Sequence, residues 1–303
     1  MPAPITTIRA TRARVATLPS VHVARLSLTA LKGAAHTHPT HLDLTEHGAR
    51  DDRRFCLVDP HLSRVLRTIE NPALVGCHAA YDGERLTVRL PDGAVVTGEV
   101  ASSAQRLNVD YWGRSVDVSV VPGPWARAFT RLLDREVVLA QVLQPGAVIF
   151  GGAVTVLTTS SLNELAARLG RRLDPRALLA DSERFRSTLV VDTADAPAFV
   201  EDQWVGSTVS VGGAQIDVTG AVPRCAVVRI TPREGTRDPL DPLKALAPDR
   251  TVVNERGREV VFGVEAAVSR AGSVRVGDAA EIRAGAGPST SMFRSGVLES
   301  SAQ

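Results

Sequence analysis

The 303-residue chain carries 35 basic and 33 acidic residues, so its formal net charge is only +2. With charges so evenly balanced, the sequence shows no basic stripe of the kind that nucleic-acid-binding proteins carry. An aromatic content of 4% also disfavours base stacking. No apolar run approaches the ~20 residues that a membrane span needs. With 44% hydrophobic residues, the chain suits one large domain or two medium domains with substantial cores.

The first part of the chain, up to about residue 121, shows alternating short runs that are typical of strands. Strands are predicted at residues 23–28, 54–59 and 85–90, and turn-forming residues follow the last two. A helix is predicted next, with Pro124 at its first position. Its predicted apolar face comprises Trp125, Ala128, Phe129, Leu132 and Leu133.

The second half opens with a predicted strand at residues 153–157, which leads into a run of hydroxyl residues. Ser161 and Glu164 match an S-x-x-E capping box, which predicts a helix that begins there and ends at Gly170. Further strands are predicted at residues 188–191, 208–211, 215–219, 225–231 and 273–282. Many short strands with few helices predict a mainly β, α+β fold built on a barrel or a curled mixed sheet.

The two ends of the sequence differ from the rest in composition. Residues 1–19 contain arginine and no acid, which faintly resembles an organelle transit peptide. Because they lack the apolar region of a secretory signal and the whole chain is rich in arginine, they are interpreted as a flexible leader. Residues 285–303 are rich in glycine and serine, which predicts a disordered tail.

The three cysteines, Cys56, Cys77 and Cys225, are far apart and odd in number, which suggests neither a disulfide framework nor a zinc set. This usage predicts a reducing compartment, and the cytoplasm is the expected location. Cys225 directly follows Arg224 at the start of a β-branched run, which predicts a strand whose first residues face a pocket. A guanidinium beside the sulfur favours the thiolate, which attacks electrophiles or binds soft metals. The alternative is a buried structural cysteine.

Other polar groups have structural interpretations. One cluster with metal-like spacing is formed by His36, His38 and His41. A metal site is disfavoured there, because no fourth ligand is visible and Pro39 indicates an exposed loop. The charges at residues 51–54 suit a solvated pair, and Asp202 with Trp204 suits a capped turn beside a core aromatic.

Seven short motifs, in order along the chain, resemble those of one known family. They are Leu31-Lys32; Gly48 with Asp52-Arg53 and Leu57-Val58-Asp59; Ser161-Leu162 with Leu165; Arg184-Phe185-Arg186; Glu201-Asp202 with Trp204; Arg224-Cys225; and Phe262-Gly263 with Gly277-Asp278. On these motifs the chain resembles the MOSC family (molybdenum cofactor sulfurase C-terminal domain), in the subgroup that carries an N-terminal β-barrel domain. That subgroup includes the amidoxime-reducing component and its bacterial relatives.

The resemblance implies a MOSC domain at residues 122–284, with a β-barrel core and a few flanking helices, preceded by an N-terminal β-rich domain at residues 20–121. It implies the molybdenum cofactor, Mo-molybdopterin, with Cys225 as catalytic residue and molybdenum ligand. The residues that it implies for cofactor binding are Lys32, Arg53, Thr159, Ser161, Arg186, Thr188 and Arg224. A thiolate suits a soft metal, and forked guanidinium donors suit phosphate and planar pterin acceptors. The family has asparagine where this chain has Thr188, whose hydroxyl keeps one donor.

Three functions follow from the resemblance. The leading one is a molybdenum-dependent oxidoreductase that reduces small N-hydroxylated compounds such as amidoximes. Its electrons are expected from an external ferredoxin or flavin reductase, because the sequence has no ferredoxin-type cysteine cluster. The second is a sulfur carrier or sulfurtransferase that uses a Cys225 persulfide and a separate sulfur donor; in that branch of the family the domain accompanies a pyridoxal-phosphate desulfurase. The third is a non-catalytic cofactor carrier. No nucleic-acid or membrane partner is expected.

Overall fold

The structure, a computed structural model, describes residues 21–101, 103–193, 196–255 and 257–284. The predicted leader at residues 1–19 and the predicted tail at residues 285–303 lie outside these ranges. Within them, strands far outnumber helices, which confirms the mainly β, α+β prediction. None of the helices in the described ranges combines the length and apolar character that a membrane crossing requires.

The elements are numbered in chain order. The earlier strands are β1 (His22–Leu26), β2 (His41–Thr45), β3 (Gly48–Ala49), β4 (Phe55–Asp59), β5 (Arg64–Val65), β6 (His78–Tyr81), β7 (Arg85–Arg89), β8 (Val95–Glu99), β9 (Arg106–Tyr111), β10 (Arg114–Val120) and β11 (Val138–Val142). The later strands are β12 (Val154–Thr158), β13 (Leu189–Asp192), β14 (Thr208–Val211), β15 (Ala214–Arg224), β16 (Thr251–Asn254), β17 (Gly257–Arg270), β18 (Gly272–Arg275) and β19 (Ala280–Arg283). The helices are α1 (Trp125–Leu133), α2 (Thr159–Arg168), α3 (Pro175–Ser182) and α4 (Pro242–Arg250).

The largest sheet runs in the order β1-β13-β12-β17-β15-β14-β19, with β16 paired to β17. The two ends of this sheet meet, because Val23 N in β1 donates to Asp278 O, just before β19, at 2.9 Å, and Ala280 N in β19 donates to Val21 O, just before β1, at 2.8 Å. The sheet therefore curls on itself and encloses an aliphatic core that includes Val156, Ile216 and other buried side chains. This curling leaves few unpaired edge groups, as in other closed β architectures.

A second, smaller barrel closes in the order β10-β11-β4-β5-β9. Its core includes Cys56, Val58 and Val118, all fully buried. Two three-stranded sheets complete the architecture, in the orders β18-β2-β3 and β6-β7-β8. Strands from the start of the chain thus pair with the second half at two places, since β1 joins β13 and β2 joins β18. The predicted domain boundary near residue 121 stays a prediction.

Helix α1 confirms the predicted apolar face. Trp125 and Phe129 are fully buried in a core with Phe55 and Leu139, and the other three predicted residues pack against the same core. The helix ends at Asp134, whose left-handed backbone (φ 49°) lets its N–H bond the carbonyl of Thr130. The apolar residues recur at helical spacing, so a single face is buried.

Helix α2 begins two residues before the predicted start. Thr158 is the N-cap, and its Oγ1 accepts from Ser161 N at 3.3 Å, so the capping box predicted at Ser161 is wrong. Thr158 leaves β12 with extended backbone and is the first hydroxyl in position to cap. Glu164 instead accepts from Arg168 one turn later, at 2.8 Å.

The predicted strand at residues 225–231 is also wrong. Strand β15 ends at Arg224, and the chain turns into a 3₁₀ helix at Ala226–Arg229. Val228 is 3% exposed there and packs into a core with Phe185 and Leu246, so burial of this side chain overrides the β propensity of the run. The strand predicted at 273–282 is likewise divided into β18 and β19 by a turn.

Candidate functional site

The candidate site is organised by a turn at residues 29–36 that packs against the segment entering β4. Arg53 N donates to Thr29 O at 2.6 Å, and Lys32 N donates to Phe55 O at 2.8 Å. These backbone bonds hold the two segments side by side. The side chains of Lys32 and Arg53, which are 21 positions apart in the sequence, therefore start from neighbouring backbone.

The side chains of two arginines, both with left-handed backbone, reach this turn. The φ angles of Arg53 and Arg186 are 52° and 55°, a conformation that non-glycine residues adopt rarely and that recurs at functional sites. Arg53 pairs with Asp52, and its Nη2 lies 3.4 Å from His36 Nε2. Arg186 Nη2 donates to Ala34 O at 2.9 Å. Both guanidinium groups are thus anchored to the same turn.

The cations of this cluster are poorly compensated. Lys32 Nζ lies 5.0 Å from the centroid of the Tyr111 ring. Burial, together with the nearby charges of Arg186 and Arg53, lowers the pKa of Lys32 to about 7. Burial and Arg53 lower the pKa of Arg186 to about 9. Among the described residues, the ion pairs of this region reach Arg53 but neither Lys32 nor Arg186. Because unpaired cations are costly inside a protein, the cluster suits an anionic ligand.

Cys225 lies beside this cluster. It follows the last residue of β15, and its thiol is exposed, which does not fit the alternative of a buried structural cysteine. The residue before it, Arg224, donates from Nη1 at 2.8 Å to the carbonyl oxygen of Phe185, which directly precedes Arg186. Arg186 and Val227, which is two residues after Cys225, line the same cleft. The structure therefore brings together the predicted thiol and the predicted cations.

The Arg224 guanidinium is fixed by two hydrogen bonds to backbone carbonyls and still has one nitrogen that can donate. Its Nε donates to Phe262 O at 2.7 Å and its Nη1 donates to Phe185 O at 2.8 Å. The buried Nη2 has no hydrogen-bond partner among the described residues, and neither has the buried hydroxyl of Ser187. Such orphaned buried donors call for a partner that the chain itself does not supply.

Three predicted cofactor contacts have hydroxyls that are already engaged within the fold. The bonds are Thr159 Oγ1 to Asp192 Oδ1 at 2.8 Å, Ser161 Oγ to Glu201 Oε2 at 2.7 Å, and Thr155 N to Thr188 Oγ1 at 3.2 Å. Thr159 and Ser161 follow the end of β12, whereas Arg186 precedes the start of its parallel neighbour β13. The hydrogen bonds of the described residues do not join these hydroxyls to the Lys32 cluster. Their assignment to the cofactor stays a prediction.

Three buried residues near the site, His36, Tyr111 and Glu201, are not among the predicted site residues. His36 is 6% exposed, whereas Thr40 and His41 at the other end of the predicted exposed loop are exposed. Burial beside Arg186 holds the pKa of His36 well below 6.5. Tyr111 and Glu201 are also buried, and burial raises the pKa of both side chains. No pattern in the sequence marks Tyr111, and the spacing of His36, His38 and His41 raises only the question of a metal site, because His36 and Tyr111 reach the site through pairing with distant segments.

The donor set fits the group that the resemblance implies. The molybdenum cofactor carries a phosphate, polar pterin edges and a soft metal. Uncompensated cations at Lys32 and Arg186 suit the phosphate, and the orphaned donors at Arg224 and Ser187 suit acceptor edges. An exposed thiol at Cys225 suits a soft metal.

The fold and the site together define an α+β protein with a curled β-sheet core and a cationic site beside an exposed thiol. Two family descriptions match the chain: the MOSC domain at residues 125–281 and the MOSC N-terminal beta barrel domain at residues 20–136. The first covers more than half of the sequence, so the chain belongs to the MOSC family. MOSC domains are associated with binding of the molybdenum cofactor.

Two solved structures share a distant likeness with the chain. The YuaD protein from Bacillus subtilis is 12% identical with a TM-score of 0.39, over 87% of this chain and 96% of its own. YiiM from Geobacillus stearothermophilus is 15% identical with a TM-score of 0.28, over 44% of this chain and 54% of its own. A comparison with curated proteins finds no match. Family membership therefore rests on the two sequence matches.

Proposed function

We propose that this protein binds the molybdenum cofactor and reduces small N-hydroxylated compounds, such as amidoximes, with electrons from an external redox partner. The observation that carries the proposal is the exposed thiol of Cys225 beside the half-buried cations of Lys32 and Arg186, which have no carboxylate partner among the described residues. Membership of the MOSC family supports the choice of cofactor. The three free cysteines, of which Cys56 and Cys77 are buried, support a reducing compartment such as the cytoplasm.

Different residues of the site would bind different parts of the cofactor. Lys32, Arg53 and Arg186 would hold the phosphate, and Arg224 would give its free Nη2 to an acceptor edge of the pterin. Cys225 would ligate the metal as a thiolate. When bound, the cofactor supplies a redox-active metal, and the protein supplies position and electrostatics.

The overall reaction requires an electron donor. Reduction of an N–OH group to N–H with release of water consumes two electrons and two protons. The three cysteines of this sequence are too widely spaced to build an iron–sulfur cluster of the ferredoxin type. A separate ferredoxin or flavin reductase is therefore the proposed donor, and solvent is the source of the protons.

Anaerobic purification followed by metal analysis and an assay with benzamidoxime tests this proposal. The wild-type protein should contain about one molybdenum per chain and reduce benzamidoxime with a supplied donor. Cys225→Ser should lose more than about 100-fold of the activity, yet change the free energy of unfolding by less than about 0.5 kcal/mol, because the residue is exposed. The matched control, Cys77→Ala, removes a buried thiol whose own hydrogen-bond partner is Ala73 O at 3.8 Å, and should retain the activity. Wild-type protein without molybdenum, or full activity in Cys225→Ser, would contradict the proposal.

The exposure of Cys225 also favours a second candidate, transfer of sulfur through a persulfide. A thiolate receives sulfur only where a donor protein can reach it, and this thiol is accessible. Mass spectrometry of the protein after incubation with a sulfur donor separates the two candidates. A gain of one sulfur on Cys225, without bound molybdenum, supports transfer. Bound cofactor without reductase activity under any donor supports a carrier instead.

A further inference from the structure

The cleft that Arg186 and Val227 line also contains a buried carboxylate, Glu183. Its side chain is only 6% exposed, and its backbone begins the 3₁₀ helix Glu183–Phe185, directly after α3. Glu183 is not among the residues assigned above to the cofactor or the metal. Because a buried charge requires a partner, the group that faces Glu183 indicates what this position can bind.

The partner of Glu183 is the guanidinium group of Arg233, 50 positions further along the chain. Arg233 Nη2 donates to Glu183 Oε1 at 2.6 Å, and Arg233 Nε donates to Oε2 at 3.2 Å. His38 Nε2 lies 3.1 Å from the same Oε1. Against burial, which raises it, His38 and Arg233 lower the pKa of Glu183 below 4.5. At neutral pH the position is therefore a carboxylate that accepts two N–H groups from one planar cation, the geometry of a forked pair.

The two members of this ion pair differ in their freedom to move. The Arg233 side chain is 58% exposed, whereas Glu183 is held in the interior. Arg233 lies in a loop that closes on itself, because Thr231 N donates to Thr236 O at 2.7 Å and Gly235 N donates to Thr231 O at 3.2 Å. The guanidinium can therefore rotate into solvent while the loop keeps its backbone bonds. A pair with one exposed partner is also weakly held.

We propose that Glu183 binds the planar, forked cation of amidine-type and guanidine-type ligands, and that Arg233 occupies this position until such a ligand displaces it. Amidinium and guanidinium groups share the pair of coplanar N–H donors that Arg233 presents to the carboxylate. An amidine is the product of amidoxime reduction, so for the reaction the inference rests on the proposed function. As a site for cations it stands alone.

The other charged groups of the cleft are compatible with a cationic ligand. The position already accommodates the positive charge of Arg233. Arg184 is compensated by Asp181 and Asp238, each at 2.7 Å. Burial holds the pKa of His36 well below 6.5, so this imidazole is neutral at pH 7. Arg186 is the remaining cation of the lining, and the anionic cofactor of the proposed function would offset its charge.

The rest of the lining suits the hydrocarbon part of such a ligand. Four apolar side chains border the cleft, namely Val75, Val227, Ile230 and Pro232. Ligand sites commonly combine an apolar wall with a few polar groups that set the orientation. A carboxylate beside an aliphatic wall therefore favours an amidine that carries a compact apolar body, such as benzamidine.

Calorimetric titration of the full-length protein with benzamidine tests the inference without need of metal or turnover. Benzamide has the same shape and no charge, so it serves as the ligand control. Arg233→Gln removes the internal competitor, and Glu183→Gln replaces the carboxylate with a neutral amide of the same shape. The matched control is Arg85→Gln, which removes another exposed arginine, paired with Glu99 at 3.3 Å on β7 and β8.

Benzamidine should bind Arg233→Gln about tenfold more tightly than the wild type, because no competing state has to be vacated. Glu183→Gln should bind at least tenfold more weakly than the wild type, since an amide cannot accept two N–H groups from the cation. Arg85→Gln should match the wild type, and benzamide should not distinguish Arg233→Gln from the wild type. A gain of affinity cannot arise from misfolding, so Arg233→Gln decides the matter even if Glu183→Gln is unstable.

The inference is overturned if Arg233→Gln binds benzamidine no more tightly than the wild type, or if folded Glu183→Gln binds it equally well. An equal gain for benzamide would also overturn it, because charge would then play no part. These results are independent of the reductase assay. Protein that contains molybdenum and reduces benzamidoxime, yet shows no gain in Arg233→Gln, loses this inference and keeps the proposed function. Protein that shows the gain and never acquires molybdenum does the reverse.

Discussion

Arg184 and Arg186 lie two positions apart in one motif, yet Arg184 has carboxylate partners in the fold and Arg186 has none among the described residues. The Arg184 side chain is 2% exposed and reaches two carboxylates, Asp181 and Asp238, each at 2.7 Å. Its Nη1 also donates to Val228 O at 3.0 Å. Arg186 has left-handed backbone, and its described hydrogen bond is to a carbonyl oxygen.

The difference separates structural charge from functional charge. A buried arginine with two carboxylate partners is a completed interaction that ties α3 to the chain beyond the Cys225 turn. A half-buried arginine beside Lys32 and Arg53 leaves positive charge without a carboxylate partner, which costs free energy unless a ligand supplies the anion. On this basis Arg184 should matter for stability and Arg186 for binding.

The largest effect on stability is expected for Arg184→Gln. This change leaves Asp181 and Asp238 without their shared cation, which should lower the free energy of unfolding by about 3 kcal/mol. Urea denaturation of the variant and of the wild type measures the loss. A loss below about 1 kcal/mol would contradict the structural role assigned to Arg184.

The second largest effect on stability is expected for Ser161→Ala, which should lower the free energy of unfolding by about 1–3 kcal/mol. The hydroxyl donates to Glu201 and accepts from Phe199 N, both at 2.7 Å, so its removal leaves buried polar groups without a partner. Thr159→Ala is the matched comparison, because that hydroxyl is only partly buried. If Ser161→Ala leaves stability unchanged and abolishes cofactor binding, Ser161 belongs to the ligand rather than to the fold.

Glu201→Gln should change the pH dependence of stability. Burial raises the pKa of Glu201 above 4.5, against the hydrogen bonds from Thr158 and Ser161 that lower it. The stabilising contribution of the neutral form is complete below the unfolded pKa and is lost as pH rises through the folded pKa. Glutamine cannot ionise, so the variant should be the more stable protein at pH 8, and its advantage should shrink toward pH 4.5. Thermal melts of both proteins at several pH values measure this difference. A difference in stability that stays constant from pH 4.5 to pH 8 would contradict the account.

Arg186→Gln should have the smallest effect on stability, within about 1 kcal/mol and in the stabilising direction. It removes a half-buried cation that repels Lys32 and Arg53, so the pKa of Lys32 should rise toward its ordinary value. Sulfate affinity should fall at least tenfold in the same variant. Thermal melts and calorimetry check the two parts. A strong destabilisation would mean that Arg186 is structural, as Arg184 is.

Local pattern accounts for much of the fold. The predicted strand at residues 208–211 matches β14, and the apolar face of α1 is buried as predicted. These elements follow the periodicity of side chains on a strand or a helix, which the sequence displays directly. The run after Cys225 departs from this rule because Val228 is drawn into a core that distant residues build.

The functional difference between Arg184 and Arg186 is not visible in the sequence. Both flank Phe185, and the acids that compensate Arg184 lie at positions 181 and 238, the second far along the chain. Likewise, Lys32 and Arg53 meet because a turn pairs with the entry to β4, not because of their spacing. Family resemblance identified these residues as a set, and tertiary contacts decide which of them lack a partner.

The most direct test of the central claim is the pterin and molybdenum content of two anaerobically purified proteins, wild type and Arg186→Gln. With uncompensated cations as the anchor of the cofactor, the wild type should hold about one of each per chain and the variant at least tenfold less, at nearly equal stability. A wild-type protein free of pterin, or a variant that retains its full complement, would contradict the account.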